Sequence, residues 1–276
     1  MEFRILGPVE LWRDGHEVPL NGTKQKTLLA ALLLARGHVL TDHQLSGVLW
    51  GDDMPETQQA QIYTAASRLR RQFDDTAELN RQGSGYLLEL RSASFDYQDF
   101  VRLSGAGRAA MGEHRYERAA ELLDTALALW QGPTLTGVTK LLADAACPRL
   151  DEERLDALEN RIEAELALGR HARLIPELIG LVGAYPMRER IRAQLMTALY
   201  LSDRQAQAFA TYQEGCRLLA DAFGADPGPT LRNAYQAILT GELARRVPEP
   251  VGARVPGDPT RAGHPGLLPT RPALRA

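Results

Sequence analysis

Residues 58–73 read QQAQIYTAASRLRRQF. Ile62, Ala66, Leu69 and Phe73 recur at a spacing of three to four, which lays one apolar stripe along a helix. Gln61, Thr64, Arg68 and Arg71 stand off that stripe. Gln61, Thr64 and Arg68 follow one another by about one turn, so they project from one side. On its own, a polar face with arginines is the ordinary wet side of a helix. The neighbouring segments decide whether it is more than that.

Upstream, residues 3–6 and 9–12 are short apolar runs broken by Gly7-Pro8, followed by an Asp14-Gly15 turn and a third run at residues 18–20. This pattern predicts a small antiparallel meander. Asn21-Gly22-Thr23 is placed to cap a helix from about Lys24 to Ala35, stopped by Gly37. Thr41 with Gln44 three residues on has the capping-box form and opens a second helix reaching about Trp50. Gly51-Asp52-Asp53-Met54-Pro55 reads as a turn, with Pro55 as an early residue of the third helix. Downstream, residues 79–82 and 86–90 are strand-like and flank Gly83-Ser84-Gly85, which predicts a hairpin. Strands, three helices and a hairpin, in that order, predict a winged helix-turn-helix domain over residues 1–92. In such folds the third helix enters the major groove and the hairpin touches the adjoining backbone.

From about Asp96 the strand signals stop and Ala, Leu, Arg and Glu dominate. Polar breaks at residues 112–120, 168–172 and 202–206 separate helical patterns. The last two breaks lie about 33 residues apart, near the period of tetratricopeptide helix pairs. Tyr116, Ala120 and Ala126 fall where one helix packs on the next. Residues 96–244 are therefore expected to form an all-α, tetratricopeptide-like domain, with Gly132-Pro133 and Cys147-Pro148 bracketing a loop inside it. Residues 247–276, rich in Pro, Gly and Arg, are expected to be a disordered tail.

The formal net charge of -3 excludes a uniformly basic coat, so any contact with nucleic acid must come from a local patch. Residues 1–91 carry 10 Lys/Arg against 12 Asp/Glu, but their cations are clustered. Cys147 and Cys216 form no disulfide framework and no zinc spacing, and read as buried core thiols in a reducing compartment. The N-terminus has no signal-peptide pattern, and the longest apolar run, TLLAALLLA at residues 27–35, is far short of a membrane span. A cytoplasmic protein with no membrane contact is expected.

Enzyme chemistry finds little support. Gly83-Ser84-Gly85 is not followed by a helix, so it is no dinucleotide loop. His38, His43, His114 and His171 have no partner at ligand spacing. Asp151-Glu152-Glu153 reads as a helix start, where acids suit the dipole. No catalytic residue, metal or cofactor is expected.

A DNA-reading role suits the third helix better. Gln61 can pair with adenine, Arg68 with guanine, and the Thr64 methyl can meet a thymine methyl. Lys24 and Lys26 sit at the start of the first helix, where free N–H groups favour a phosphate. Ser67 and Arg71, with Arg81, Gln82 and Ser84 at the wing, complete the expected backbone contacts. Arg70 is the weakest member of the arginine strip, since it could pair with an acid inside the domain. The alternative is a helical-repeat scaffold for protein interaction, which has no need for Arg68 and Lys24 to face one partner.

The segments FRILGPVELWRDG, TKQKTLLAALLLA, LWGDD, SRLRRQF and GYLL resemble the DNA-binding part of the SARP (antibiotic regulatory protein) family of actinobacterial transcription activators. RYERAAELLDTALALWQGPTL, the long run from LDEERLDALEN to QLMTALY, and LADAFGADPGPTLR resemble that family's bacterial transcriptional activation domain. The resemblance covers about residues 1–241. It implies an OmpR-like winged helix binding direct repeats in double-stranded DNA near a promoter's -35 element, as two protomers side by side. It also implies recruitment of RNA polymerase holoenzyme and control of a secondary-metabolite gene cluster. The base-reading positions it implies are Gln61, Thr64, Ala65 and Arg68. At the wing, Gln82 stands where the family commonly has arginine, so that contact is lost or passes to Arg81. Asp52 and Asp53 resemble the loop that meets polymerase.

Overall fold

The computed structural model describes residues 1–243. The expected tail at residues 247–276 lies outside them. The chain begins with β1 (Glu2–Arg4), β2 (Glu10–Arg13) and β3 (His16–Val18). These pair antiparallel in the order β3-β2-β1, and a short β7 (Ser94–Phe95) adds to β1 in parallel. The predicted meander is therefore present, extended by a strand from the far end of the domain that has too few residues to show a period.

Then come α1 (Thr23–Leu34), β4 (Leu40–Thr41), α2 (Asp42–Trp50) and α3 (Gln58–Gln72). Thr41 and Gln44 make the capping box that their spacing predicts, with side chain and backbone bonded both ways. The start of α1 differs from expectation. Gly22 is its cap residue and supplies no side chain; Gln25 turns back to accept from the Asn21 N–H at 2.8 Å. The start of α3 differs too. Pro55 lies in the preceding turn, where its carbonyl accepts from Gln58 N, and the helix begins only there.

On α3, Ile62, Ala66 and Leu69 are buried, and half-buried Phe73 meets Phe3 edge-on at 5.5 Å. The stripe therefore does what its spacing predicts: it seats α3 on α1 and α2 and turns the opposite side outward. The wing follows as β5 (Ala77–Gln82) and β6 (Gly85–Leu90), antiparallel, with Gln82 opposite Gly85. Its turn is only Gly83-Ser84, and Gly83 holds a φ of 55°. Gly85 belongs to the strand. A Cβ there would lie 2.4 Å from the Leu40 carbonyl oxygen, so only glycine lets β6 pair with β4.

The helical part comprises α4 (Asp96–Gly112), α5 (Tyr116–Leu127), α6 (Lys140–Ala167), α7 (His171–Ala184), α8 (Glu189–Tyr200), α9 (Gln205–Phe223) and α10 (Pro229–Leu239). Successive helices pack on their neighbours, as helix-pair repeats do. Ala110, Ala119, Ala120 and Ala164 form a small buried cluster where α4, α5 and α6 approach closely.

Three expectations in this part fail. The loop ends at residue 139, and α6 runs straight through Cys147-Pro148. A proline inside a helix removes one backbone bond, but Leu142 and Ala146 before it and Leu150 after it are all buried in one core, which keeps the helix continuous. Asp151-Glu152-Glu153 consequently lies in mid-helix, with no helix N-terminus to serve. Glu153 instead accepts from Tyr97 Oη at 3.0 Å, and Asp151 from Thr134 Oγ1 at 2.5 Å. The cysteines are half-buried rather than core thiols.

A single apolar core runs from Phe3, Leu28 and Ile62 into Phe100, Trp130, Leu142 and Leu150 of the helical part. Residues 131–136 also bond to the backbone of residues 5–9, including Gln131 N to Leu6 O at 2.8 Å and Val9 N to Thr136 O at 3.0 Å. Thr139 donates its N–H to Thr27 Oγ1 and its hydroxyl to the Val48 carbonyl. Half-buried Asp96 accepts from the N–H groups of Ile5, Leu6 and Tyr97, and desolvation pushes its carboxyl up to about 6. Each large apolar side chain uncovered costs about 1.5–3 kcal/mol, so the two parts are held together as one body. A second core, around Ile162, Leu178, Met196 and Leu231, holds α6 to α10 together.

Candidate nucleic-acid interface

The exposed side of α3 carries most of the residues expected to read bases. Thr64 and Arg68 are exposed, and Gln61 and Ala65 are partly so. These four line an open groove of about 340 Å³ against the start of α1, where Lys24 stands. The Lys24 ammonium donates to Gln61 Oε1 at 2.8 Å and lies 5.1 Å from the centre of the Trp50 ring. On its other side, Gln61 Nε2 donates to Thr57 Oγ1 at 2.9 Å. Thr64 spends its hydroxyl on the Ala60 carbonyl of its own helix.

Arg68 and Arg71 are exposed and make no hydrogen bond or ion pair among the described residues. Ser67, half-buried on the same helix, lies one residue before Arg68. Lys26 is placed apart from this set. Its side chain lies along Gly137, where a Cβ would come within 2.9 Å of the lysine Cδ, so it faces the helical part.

Arg70 and Arg81 are engaged inside the domain. Arg70 Nε donates to the Leu79 carbonyl at 2.6 Å, so its partner is a backbone oxygen and not an acid. Arg81 forms a two-pronged pair with Asp42 at 2.7 and 2.6 Å and also donates to the Gly83 carbonyl. The Asp42 carboxylate holds the Arg81 guanidinium above the ordinary arginine range. Both guanidinium groups stack on Tyr86, at 5.6 and 4.7 Å from its centre. The outer wing is left with Gln82 and Ser84, exposed and neutral. The Ser84 carbonyl accepts from Asp42 N at 2.7 Å, which fastens the wing tip to the start of α2.

Tyr63 is a surface residue that the sequence reading passed over. It is 63% exposed and lines a second groove of about 520 Å³, between α3 and the wing, with Gln59, Thr64 and Arg81. Its signal was its position. Residue 63 lies one step off the apolar stripe, so an aromatic ring there has no core to fill.

Asp52 and Asp53 are exposed in the α2–α3 turn. Gly51 in that turn lies against Leu141 of α6, so the helical part borders the acidic loop. Among the described residues no cluster of His, Cys, Asp and Glu is grouped to hold a metal, and no helix is long and apolar enough to cross a membrane.

The three-helix unit with its wing, joined to helical repeats, defines the class: a winged-helix protein with an appended all-α domain. Comparison with known proteins agrees. Residues 15–88 match the family model described as "Transcriptional regulatory protein, C terminal", and residues 95–239, more than half of the chain, match "Bacterial transcriptional activator domain". The chain is 40% identical to regulatory protein AfsR of Streptomyces coelicolor over 244 residues, covering 88% of this chain and 25% of AfsR. It is 33% identical to transcriptional regulatory protein EmbR of Mycobacterium tuberculosis, over 98% of this chain and 70% of EmbR. It is 31% identical to regulatory protein DnrI of Streptomyces peucetius, over 92% of this chain and 99% of DnrI. A solved structure of Mycobacterium tuberculosis EmbR in complex with a low-affinity phosphopeptide superposes with a TM-score of 0.80 at 34% identity, covering 90% of this chain and 65% of that one. The chain belongs to the SARP family of transcriptional regulators. Each of these relatives is named as a regulatory protein. The chain spans only a quarter of the length of AfsR.

Proposed function

We propose that the chain is a sequence-specific, DNA-binding transcriptional activator. Its α3 enters the major groove of promoter DNA, and the wing lies on the adjoining backbone. Gln61, Thr64, Ala65 and Arg68 face bases. Ser67, Arg71, Gln82 and Ser84 lie toward the phosphates, Lys24 stands between them and the base-facing Gln61, and Lys26 and Arg81 are the least free to reach a phosphate. Residues 1–92 form the reading part and residues 96–244 the activating part. Two protomers sit side by side on direct repeats near the -35 element and recruit RNA polymerase holoenzyme, with Asp52 and Asp53 toward the polymerase. The regulated genes belong to a secondary-metabolite cluster, and the protein works in the cytoplasm on the nucleoid.

The observation that carries this reading is the pair of exposed arginines on α3, Arg68 and Arg71, without partners among the described residues, with Arg68 sharing a groove with Lys24. An acidic chain that leaves two neighbouring cations unpaired on a helix seated by its apolar stripe presents a surface suited to an anion.

Selection from a random duplex library, followed by anisotropy titrations over a salt series, tests it. The expected result is a repeated motif at about one helical turn, with affinity falling steeply as salt rises. Weak binding indifferent to salt and no enriched motif would return α3 to a solvated face. For the polymerase contact, Asp52→Asn with Asp53→Asn is expected to lower transcription in vitro without weakening DNA binding. Unchanged transcription removes the loop from that role.

A further inference from the structure

We infer that Lys24 and Gln61 act as one base-reading unit that prefers guanine to adenine. The inference rests on the DNA-reading role proposed above. A lysine ammonium carries only donors, so the atom of Gln61 that meets it at 2.8 Å is the amide oxygen. This contact fixes which way the amide points. Thr57, 2.9 Å from the amide nitrogen, holds the other end, and the Trp50 ring holds Lys24 in place.

Glutamine reads adenine by offering its carbonyl to the N6 amino group and its N–H to N7. Here the ammonium already occupies one lone pair of that carbonyl and places a positive charge beside the other. The N6 amino group, itself a donor, would approach a cation. What remains toward the groove is one N–H of Gln61 and the free N–H groups of Lys24, all donors. Guanine offers two acceptors on the same edge, N7 and O6, which can take one hydrogen bond from each. The groove holding both side chains is lined also by Asn21, Thr64 and Arg68, and has no carboxylate to offset the charge.

The test is selection from a random duplex library with the full chain, repeated with Gln61→Ala and with Lys24→Met. The base position that Gln61 reads is the one whose preference Gln61→Ala loses. Methionine keeps an unbranched apolar stem over Trp50, and thermal melts that overlay the parent's establish that each variant is folded. Guanine is expected at that position in the parent. Lys24→Met is expected to weaken the guanine preference about tenfold and to raise adenine, since the carbonyl is released. Adenine there in the parent, a guanine preference untouched by Lys24→Met, or no position dependent on Gln61 overturns the inference while DNA binding stands. No enriched sequence with the parent overturns both.

Discussion

Arg68 and Arg188 both stand at charged positions of an acidic chain, and the two meet opposite surroundings. Arg188 sits at the start of α8 and bridges to α6, donating to Glu152 at 2.5 Å, Glu159 at 2.7 Å and Asp156 at 2.9 Å. Glu159 is 2% exposed and also meets Arg190 at 3.3 Å. Arg173 and Arg161 likewise meet acids on α6 and α7. Arg68 has none of this. On the wing the first arrangement recurs at smaller scale, because Asp42 engages Arg81. An arginine whose donors are already aimed at carboxylates must break those bonds to serve a partner. One that stands free in solvent needs only to be desolvated. Arg68 and Arg71 on α3 are thus left without internal partners among the described residues, and the arginines between α6 and α8 hold the fold.

Arg188→Ala probes the α6–α8 seam with the largest expected effect. It leaves buried Glu159 with Arg190 alone and is expected to cost about 3 kcal/mol of stability, read from the urea midpoint. A loss below about 1 kcal/mol would make the seam an ordinary solvated surface. On α3 the expectation reverses. Arg68→Ala should leave the melting temperature unchanged but cost about 1–3 kcal/mol of affinity and blur one base position in the selected motif. An unchanged motif would remove Arg68 from base reading. Arg71→Ala should weaken all sequences alike and flatten the salt slope by about one unit, measured by anisotropy. A slope equal to the parent's would mean that Arg71 meets no phosphate. Asp42→Asn sharpens the comparison at the wing, with the smallest effect. Freed Arg81 should steepen the salt slope by up to about one unit, while stability falls by less than about 1 kcal/mol. No steepening would place the wing arginine away from DNA.

What could be read from the sequence was local. The α3 stripe, the Thr41–Gln44 capping box and the wing hairpin each depend on residues within one or two turns of one another, and all are present, with Gly85 in the strand and not in the turn. The failures came where distant residues decide. Pro148 suggested a loop, but Leu142, Ala146 and Leu150 find one core, and the helix passes through. Asp151-Glu152-Glu153 suggested a helix start for the same reason. Arg81 suggested a free wing cation, yet its partner Asp42 is 39 residues away in the chain. The bond from Lys24 to the Gln61 carbonyl likewise joins residues 37 apart in the chain, which no local pattern announces. A boundary near residue 95 is where composition changes and where the two family models meet, but the packing crosses it through Phe100, Trp130 and Leu142.

By itself, the sequence determined that this protein has a winged helix followed by helical repeats, and which side of α3 faces outward. Hydrophobic periodicity and capping are short-range, and burying an apolar stripe leaves little freedom in how a helix sits. Only the tertiary structure decided which cations remain available and that the two parts share a core. A guanidinium's partner and a leucine's neighbours are set by elements that meet in space, and their separation along the chain carries no trace of that meeting.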